Sequence, residues 1–113
     1  MRLKIGVLVL ALFNSEAATA ADWVWIGSTV DAAYFIDASS IATVNQYKKA
    51  WIRVENKDFQ PIESDPSKRY LSAKVLYYFD CKAKMSVGIK QTFYANANGS
   101  GSEVYSFNRK FSP

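Results

Sequence analysis

One cysteine and a set of scattered carboxylates are the side chains of this chain most suited to chemistry, because histidine is absent. Without an imidazole, neither a Ser-His-Asp or Cys-His nucleophile pair nor a His-ligated zinc site can form. Cys81 is followed by Lys82 and Lys84, but a thiol nucleophile also needs a base. We therefore predict a buried or disulfide-forming Cys81 and no metal site.

Two carboxylates that face each other across a sugar would suit hydrolysis. Glu63 and Asp65 lie in a proline-bearing segment, whereas Asp37 and Asp80 lie at the ends of predicted strands. No spacing among them defines a pair, and the D-x-D-x-D-G pattern of a calcium loop is absent. We predict turn and capping roles for these residues, no cofactor and no enzymatic activity.

Aromatic and basic residues give the chain its main capacity for binding. Trp51 and Arg53 lie on the polar side of a predicted strand, and Trp and Arg are common at protein contacts. We predict that these two residues, with Lys82 and Lys84 of a predicted turn, contribute to contact with a protein partner. For the aromatic residues as a group, core packing is favoured over stacking on bases or sugars. The group also includes Trp23, Trp25, Tyr77, Tyr78 and Tyr94.

The charge of the chain is mildly basic, with 14 Lys and Arg against 10 Asp and Glu and a net charge of +4. The excess is spread along the sequence, and its densest group is Lys82, Lys84 and Lys90. We interpret it as a solvated surface in which lysines protect strand edges. A nucleic-acid-binding domain would be more basic and more clustered, so no nucleic-acid partner is predicted.

Strands are the elements that would position these residues, because apolar and polar residues alternate along most of the chain. The strongest strand runs from Tyr70 to Cys81, and we predict that it pairs with Met85–Ala95 as an antiparallel hairpin. Gln46–Asn56 is predicted to have one buried side and one wet side, the latter carrying Trp51 and Arg53. Shorter strands are predicted at Trp23–Gly27, Ala33–Asp37 and Glu103–Phe107.

The predicted connections complete a mainly β fold. We expect a turn or a single helical turn after Asp37, and the Asp37 side chain would cap that turn. Phe59–Lys68 is predicted to be a loop because it carries Pro61 and Pro66, and Asn96–Ser102 is predicted to be a flexible turn. The result is a single small antiparallel sheet domain of about five to six strands with little helix. An α+β arrangement is the alternative.

The N-terminal residues are typical of a secretory signal peptide. Arg2 and Lys4 precede an uncharged run from Ile5 to Phe13, and Ala18 and Ala20 are small residues at the positions that a signal peptidase reads. The run is shorter than the about 20 apolar residues that span a bilayer. We predict a signal peptide at residues 1–20 and a domain at 21–113 with no transmembrane segment. No cysteine stands at the cleavage point, so no N-terminal lipid anchor is expected.

Five segments stand out in order along the predicted domain: Asp22–Ser28, Tyr34–Ile41 (YFIDASSI), Lys49–Val54 (KAWIRV), Ser72–Cys81 (SAKVLYYFDC) and Tyr105-Ser106. Together they resemble the surface-adhesin E (protein E-like) family of Gram-negative bacteria. The resemblance implies a small exported antiparallel sheet domain, located in the periplasm or at the cell surface. The best-known member of that family is an adhesin that binds host matrix and plasma proteins.

The resemblance also implies a C-terminal helical segment that ends in a second cysteine, for which this sequence offers no counterpart. Cys81 resembles the first cysteine of that pair and has no intrachain partner. A disulfide of this kind contributes about 2–4 kcal/mol. We therefore expect either reduced stability or a homodimer linked through Cys81.

The function predicted from these observations is that of an exported, non-enzymatic binding or adhesion module. Its expected partner is a host matrix protein or another surface protein. The alternative is a periplasmic structural or stress-related protein with no host ligand.

Overall fold

The computed structural model describes residues 20–111, which form one open antiparallel sheet. Along its main path the strand order is β1-β2-β4-β5-β6-β7, and β3 pairs with β4 beside that path. The strands are β1 (Trp23–Ser28), β2 (Ala32–Asp37), β3 (Ala42–Val44), β4 (Tyr47–Ile62), β5 (Asp65–Asp80), β6 (Met85–Tyr94) and β7 (Glu103–Asn108). The predicted signal peptide lies outside the described residues apart from Ala20.

The predicted fold class is confirmed, because the helical content of the described residues consists of short 3₁₀ turns. The sheet has seven strands rather than the smaller number predicted. The strand that the sequence did not reveal is β3, which has three residues and is therefore too short to show a pattern of alternation.

The central hairpin of β4 and β5 is longer than predicted, with 16 residues in each strand. Its pairing is regular up to Glu55 and resumes, after an irregularity, at Gln60. Residues 57–69 therefore form an arm, and the prediction of a loop at Phe59–Lys68 is wrong. Pro61 lies in β4 and Pro66 in β5. A two-stranded arm has a free edge on each strand, so a proline there need not interrupt a hydrogen-bonded ladder.

The arm bends over one face of the sheet and closes the core. Ile62 at its tip is only 3% exposed, and it lines one cavity with Phe93 of β6 and with Tyr105 and Phe107 of β7. We call this side the core face. Its buried apolar residues, together with Ile62, are Ala50, Ile52, Ala73 and Val75.

Two local predictions are confirmed at the ends of strands. Ala38–Ser40 form a 3₁₀ turn, and Asp37 caps it by accepting a hydrogen bond from the Ser39 backbone N–H at 3.0 Å. The β5–β6 hairpin also forms, with residues 81–84 as its turn.

The burial predicted for Cys81 is wrong. Asp80 ends β5 one residue before it, so Cys81 opens the turn as an exposed, free thiol. A disulfide between two copies of the chain through Cys81 stays a prediction.

Candidate binding surface

The face opposite the core carries a row in which aromatic rings and cations alternate. On β4 and β5, residues next to the buried Ile52 and Val75 point to this side, because side chains alternate along a strand. These neighbours are Arg53 and Lys74, which also pair across the two strands. We call this side the aromatic face. It is defined by Trp23, Phe35, Trp51, Arg53, Lys74 and Tyr94.

Arg53 is enclosed by this row rather than solvated. Its guanidinium carbon lies 4.8 Å from the centre of the Trp23 ring and 4.6 Å from that of Phe35, within the range of cation–π attraction. Its Nε lies 2.8 Å from Glu55 Oε2, although neither atom has a well-directed hydrogen bond, so the contact is an ion pair. Arg53 is 8% exposed. The prediction of a wet side on this strand is therefore wrong at Arg53, because two rings cover it.

Lys74 continues the row toward β6. Its ammonium nitrogen lies 5.9 Å from the centre of the Trp23 ring and 5.3 Å from that of Tyr94. Trp23 therefore lies between two cations, and its ring reaches from the edge strand β1 over the middle of the sheet. A ring held between charges keeps a fixed position while its remaining surface stays accessible.

A shallow groove of about 310 Å³ lies along this row. One side carries the Asp37 carboxylate and the other the Lys74 ammonium, so the groove offers a hydrogen-bond acceptor and a donor between aromatic walls. Burial works to raise the pKa of Asp37, but hydrogen bonds from Ser39 and Asp22 and the positive charge of Lys74 hold it below its ordinary value. Asp37 is therefore ionised at neutral pH. The remaining residues that line the groove are Ala21, Trp23, Trp51, Thr92 and Tyr94.

The segment after β6 forms a turn where one was predicted, and it is docked against the same face. The fully buried Ser72 hydroxyl donates to the Asn96 carbonyl at 2.5 Å and accepts from the Gly99 N–H at 2.8 Å. Glu55 Oε1 accepts from the Asn98 N–H at 2.8 Å. Gly99 has φ of +64°, and a Cβ atom there would collide with the Lys74 side chain. Glycine at this position therefore lets the loop lie directly against the row.

The structure brings together only part of the predicted contact set. Trp51 is half-buried and lines the groove beside the enclosed Arg53. Lys82 and Lys84 are exposed in the β5–β6 turn. Trp51 pairs with Leu76, so the turn begins roughly 15 Å further along the sheet. The contact role of the four residues stays a prediction.

Sequence reasoning missed Lys74 and assigned Trp23 and Tyr94 to the core. Alternation along β5 does place Lys74 opposite the buried Val75, and that signal could have been used. No local pattern shows that Trp23 reaches Lys74, because β2 and β4 lie between their strands in the sheet.

Within residues 20–111, no three acidic or cysteine side chains gather as ligands for a metal ion. The same part of the chain contains no helix long and apolar enough to cross a membrane. The surface presents a set of rings, the Lys74 ammonium and the ionised Asp37, groups that suit non-covalent recognition.

Comparison with known proteins is consistent with this description. The sequence profile of the family Surface-adhesin protein E matches residues 23–112, and the chain belongs to that family. Membership implies an exported, surface-exposed protein. No curated protein matches the chain in sequence.

Solved structures of protein E share the fold. The structure of Haemophilus influenzae protein E has a TM-score of 0.53 at 17% identity, over 80% of this chain and 74% of that one. Protein E from non-typeable Haemophilus influenzae gives a TM-score of 0.53 at 17% identity, over 84% of this chain and 70% of that one. At this identity the likeness concerns the fold alone.

Proposed function

We propose that this chain is a non-enzymatic adhesin domain that binds a host matrix or cell-surface protein through the aromatic face. One observation carries the proposal: rings on this face are half-exposed and held by cations, whereas the opposite face is closed by the chain's own arm. Membership of an adhesin family supports it. The compartment that fits this role is the outer surface of the cell, after export.

The aromatic face has the features of a protein contact site. Tryptophan, tyrosine and arginine contribute most of the binding energy at such sites, mainly where water is excluded. Trp51, Trp23 and Tyr94 would bury their remaining surface against apolar groups of a partner. Lys74 would donate to an acidic side chain, and Asp37 would accept from a donor group. The geometry therefore favours a partner surface that presents apolar groups beside an acid.

Arg53 has a different role in this proposal from the one that its sequence position suggests. Because two rings and Glu55 already enclose its charge, it holds Trp23 and Phe35 in place instead of projecting toward a partner. Lys82 and Lys84, which are exposed, would lie at the rim and speed association with an acidic partner.

Binding of the full chain to immobilised, enzymatically deglycosylated matrix proteins tests the proposal. Trp51→Ala is expected to weaken binding about tenfold, as for truncation of a central aromatic contact. Phe59→Ala is the matched control, because Phe59 is an aromatic residue of the arm with 48% exposure and lies away from the groove. It is expected to leave affinity unchanged.

Equal affinities of the two variants would contradict the placement of the site. If the folded wild-type chain bound no deglycosylated matrix or cell-surface protein, the adhesin proposal would fail. The periplasmic alternative without a host ligand would then be preferred.

A further inference from the structure

Cations that are dispersed in the sequence meet at one end of the sheet. Lys48 and Lys49 at the start of β4 pair with Phe79 and Tyr78 at the end of β5. The turn that follows β5 carries Lys82 and Lys84. Two pairs of lysines far apart in the chain therefore lie side by side.

The last described residues add further cations to this end. Just after β7 ends at Asn108, the Arg109 N–H donates to the Ile89 carbonyl of β6 at 2.7 Å. Phe111 then packs on Tyr78 with ring centres 4.9 Å apart, which directs the chain back toward the end of β5. We call this region the basic end. Its cations are Lys48, Lys49, Lys82, Lys84, Arg109 and Lys110.

Little negative charge opposes these cations. Within residues 20–111, Asp80 is the carboxylate that lies among them. Its Oδ1 accepts hydrogen bonds from the backbone N–H groups of Lys82 at 3.1 Å and Ala83 at 3.0 Å. Asp80 is thus occupied by the turn that it stabilises. The acids Glu63 and Asp65 lie at the tip of the arm, away from the basic end.

The arrangement of the cations favours a flexible, linear ligand. All except Lys49 are exposed, and Lys48 and Lys49 point to opposite faces because they are neighbours in a strand. Lys90 does not belong to this group, because it pairs with Leu76 level with Trp51, roughly 15–20 Å from the turn. A ligand that contacts cations on both faces has to bend around the end of the sheet. The large apolar side chain most exposed next to the turn is Met85, at 69%, which alone gives little insertion into lipid.

We propose that the basic end binds a linear sulfated polysaccharide. Its closely spaced sulfate groups can pair with cations on both faces while the chain bends around the end of the sheet. The inference rests on the proposed adhesion function, to which it adds a glycan as a second ligand. It shares Lys82 and Lys84 with the rim of the proposed protein site, but its ligand contains no protein, so either proposal can fail alone.

Titration calorimetry of the full chain with a size-defined heparin oligosaccharide tests this inference. We expect binding that weakens as salt rises, because counterions are released from the ligand. Lys82→Gln/Lys84→Gln is expected to lower affinity about tenfold at low salt. Arg109→Gln/Lys110→Gln provides a second variant with the same expectation, in case the first disturbs the turn.

The matched control is Lys57→Gln/Lys68→Gln. It removes the same charge from exposed lysines of the arm, which lie beyond a Debye length of about 10 Å from the basic end at ordinary salt. Its affinity is expected to stay within about twofold of the wild-type value. The desulfated oligosaccharide is expected not to bind.

Several outcomes would overturn the inference. Equal losses of oligosaccharide affinity in the arm variant and the basic-end variants would show that net charge alone determines binding. Equal affinity for duplex DNA of matched charge would show a general polyanion surface. Binding to phosphatidylglycerol vesicles without binding to the oligosaccharide would assign the basic end to a membrane. Because the oligosaccharide contains no protein, none of these results bears on the aromatic face.

Discussion

The two faces of β4 and β5 carry residues of different character at adjacent positions: apolar residues on one face and cations on the other. Ile52 and Val75 on the core face are buried by apolar neighbours and by the arm. Arg53 and Lys74, each one residue away, lie among rings on the aromatic face. One face is closed by the chain itself, whereas the other holds its rings in place and leaves them half-exposed.

The comparison shows how a small sheet can separate folding from recognition. Burying apolar area on the core face stabilises the fold by about 25 cal/mol per Å². On the aromatic face, enclosing the charge of Arg53 requires Glu55 and two rings to offset its lost hydration. The gain there is in the fixed position of Trp23 and Phe35, which lowers the entropy lost when a partner binds. Changes on the two faces should therefore have different consequences.

The largest effect on stability is expected from the core face. Ile62→Ala should lower the free energy of unfolding by about 3 kcal/mol, because it leaves a cavity under the arm. Denaturant unfolding followed by circular dichroism measures this loss. Ile26→Ala is the matched control, since Ile26 is 54% exposed on the edge strand β1, and it should cost less than about 0.5 kcal/mol. Similar losses in both variants would mean that the arm does not close the core.

A smaller loss is expected from the ion pair on the aromatic face. Arg53→Met should destabilise the fold by about 2 kcal/mol, because it leaves Glu55 largely buried without its partner. Adding Glu55→Gln should restore most of that loss, since the amide is neutral and still accepts from the Asn98 N–H. The same unfolding experiment measures both variants. Failure of the second change to restore stability would show that Arg53 acts through packing alone.

The smallest effect concerns pH and Asp37, which lines the groove on the aromatic face. Its pKa in the folded state lies below the ordinary value, so its carboxylate stabilises the fold above the unfolded pKa. That contribution is lost as the pH falls through the folded pKa. Asp37→Asn should cost about 1 kcal/mol at neutral pH, because a neutral amide replaces a charged hydrogen-bond acceptor.

Asp37→Asn should also flatten the stability curve between about pH 5 and pH 2. Urea unfolding across this range is the measurement, with Asp31→Asn, an exposed carboxylate near β2, as control. A steeper curve in Asp37→Asn than in the wild-type chain would contradict the assigned sign.

Strict local patterns account for the parts of the fold that the sequence predicts. The β5–β6 hairpin is predicted by alternation on both sides of a short polar turn. The capped turn after Asp37 is predicted by the preference for aspartate at the start of a helical turn. The arm was missed because Pro61 and Pro66 are typical of loops. Their strands form a two-stranded extension, in which prolines are tolerated.

The candidate surface was only partly predictable, since it depends on contacts between distant strands. Alternation placed Trp51 and Arg53 on one side of β4, but it could not show that Trp23 covers Arg53. The docking of Gly99 on Ser72 likewise joins residues far apart in the sequence. The basic end was hidden for the same reason, because strand pairing brings Lys48 next to Lys82.

The most direct test of the separation between the faces is a nuclear magnetic resonance titration of the ¹⁵N-labelled chain with an unlabelled, deglycosylated matrix protein that binds it. Our account predicts that the indole N–H signals of Trp51 and Trp23 shift or broaden on binding, while the backbone amide of Gly88, against Val75 on the core face, stays unchanged. Shifts confined to core-face and arm amides, with both indole signals unmoved, would contradict it.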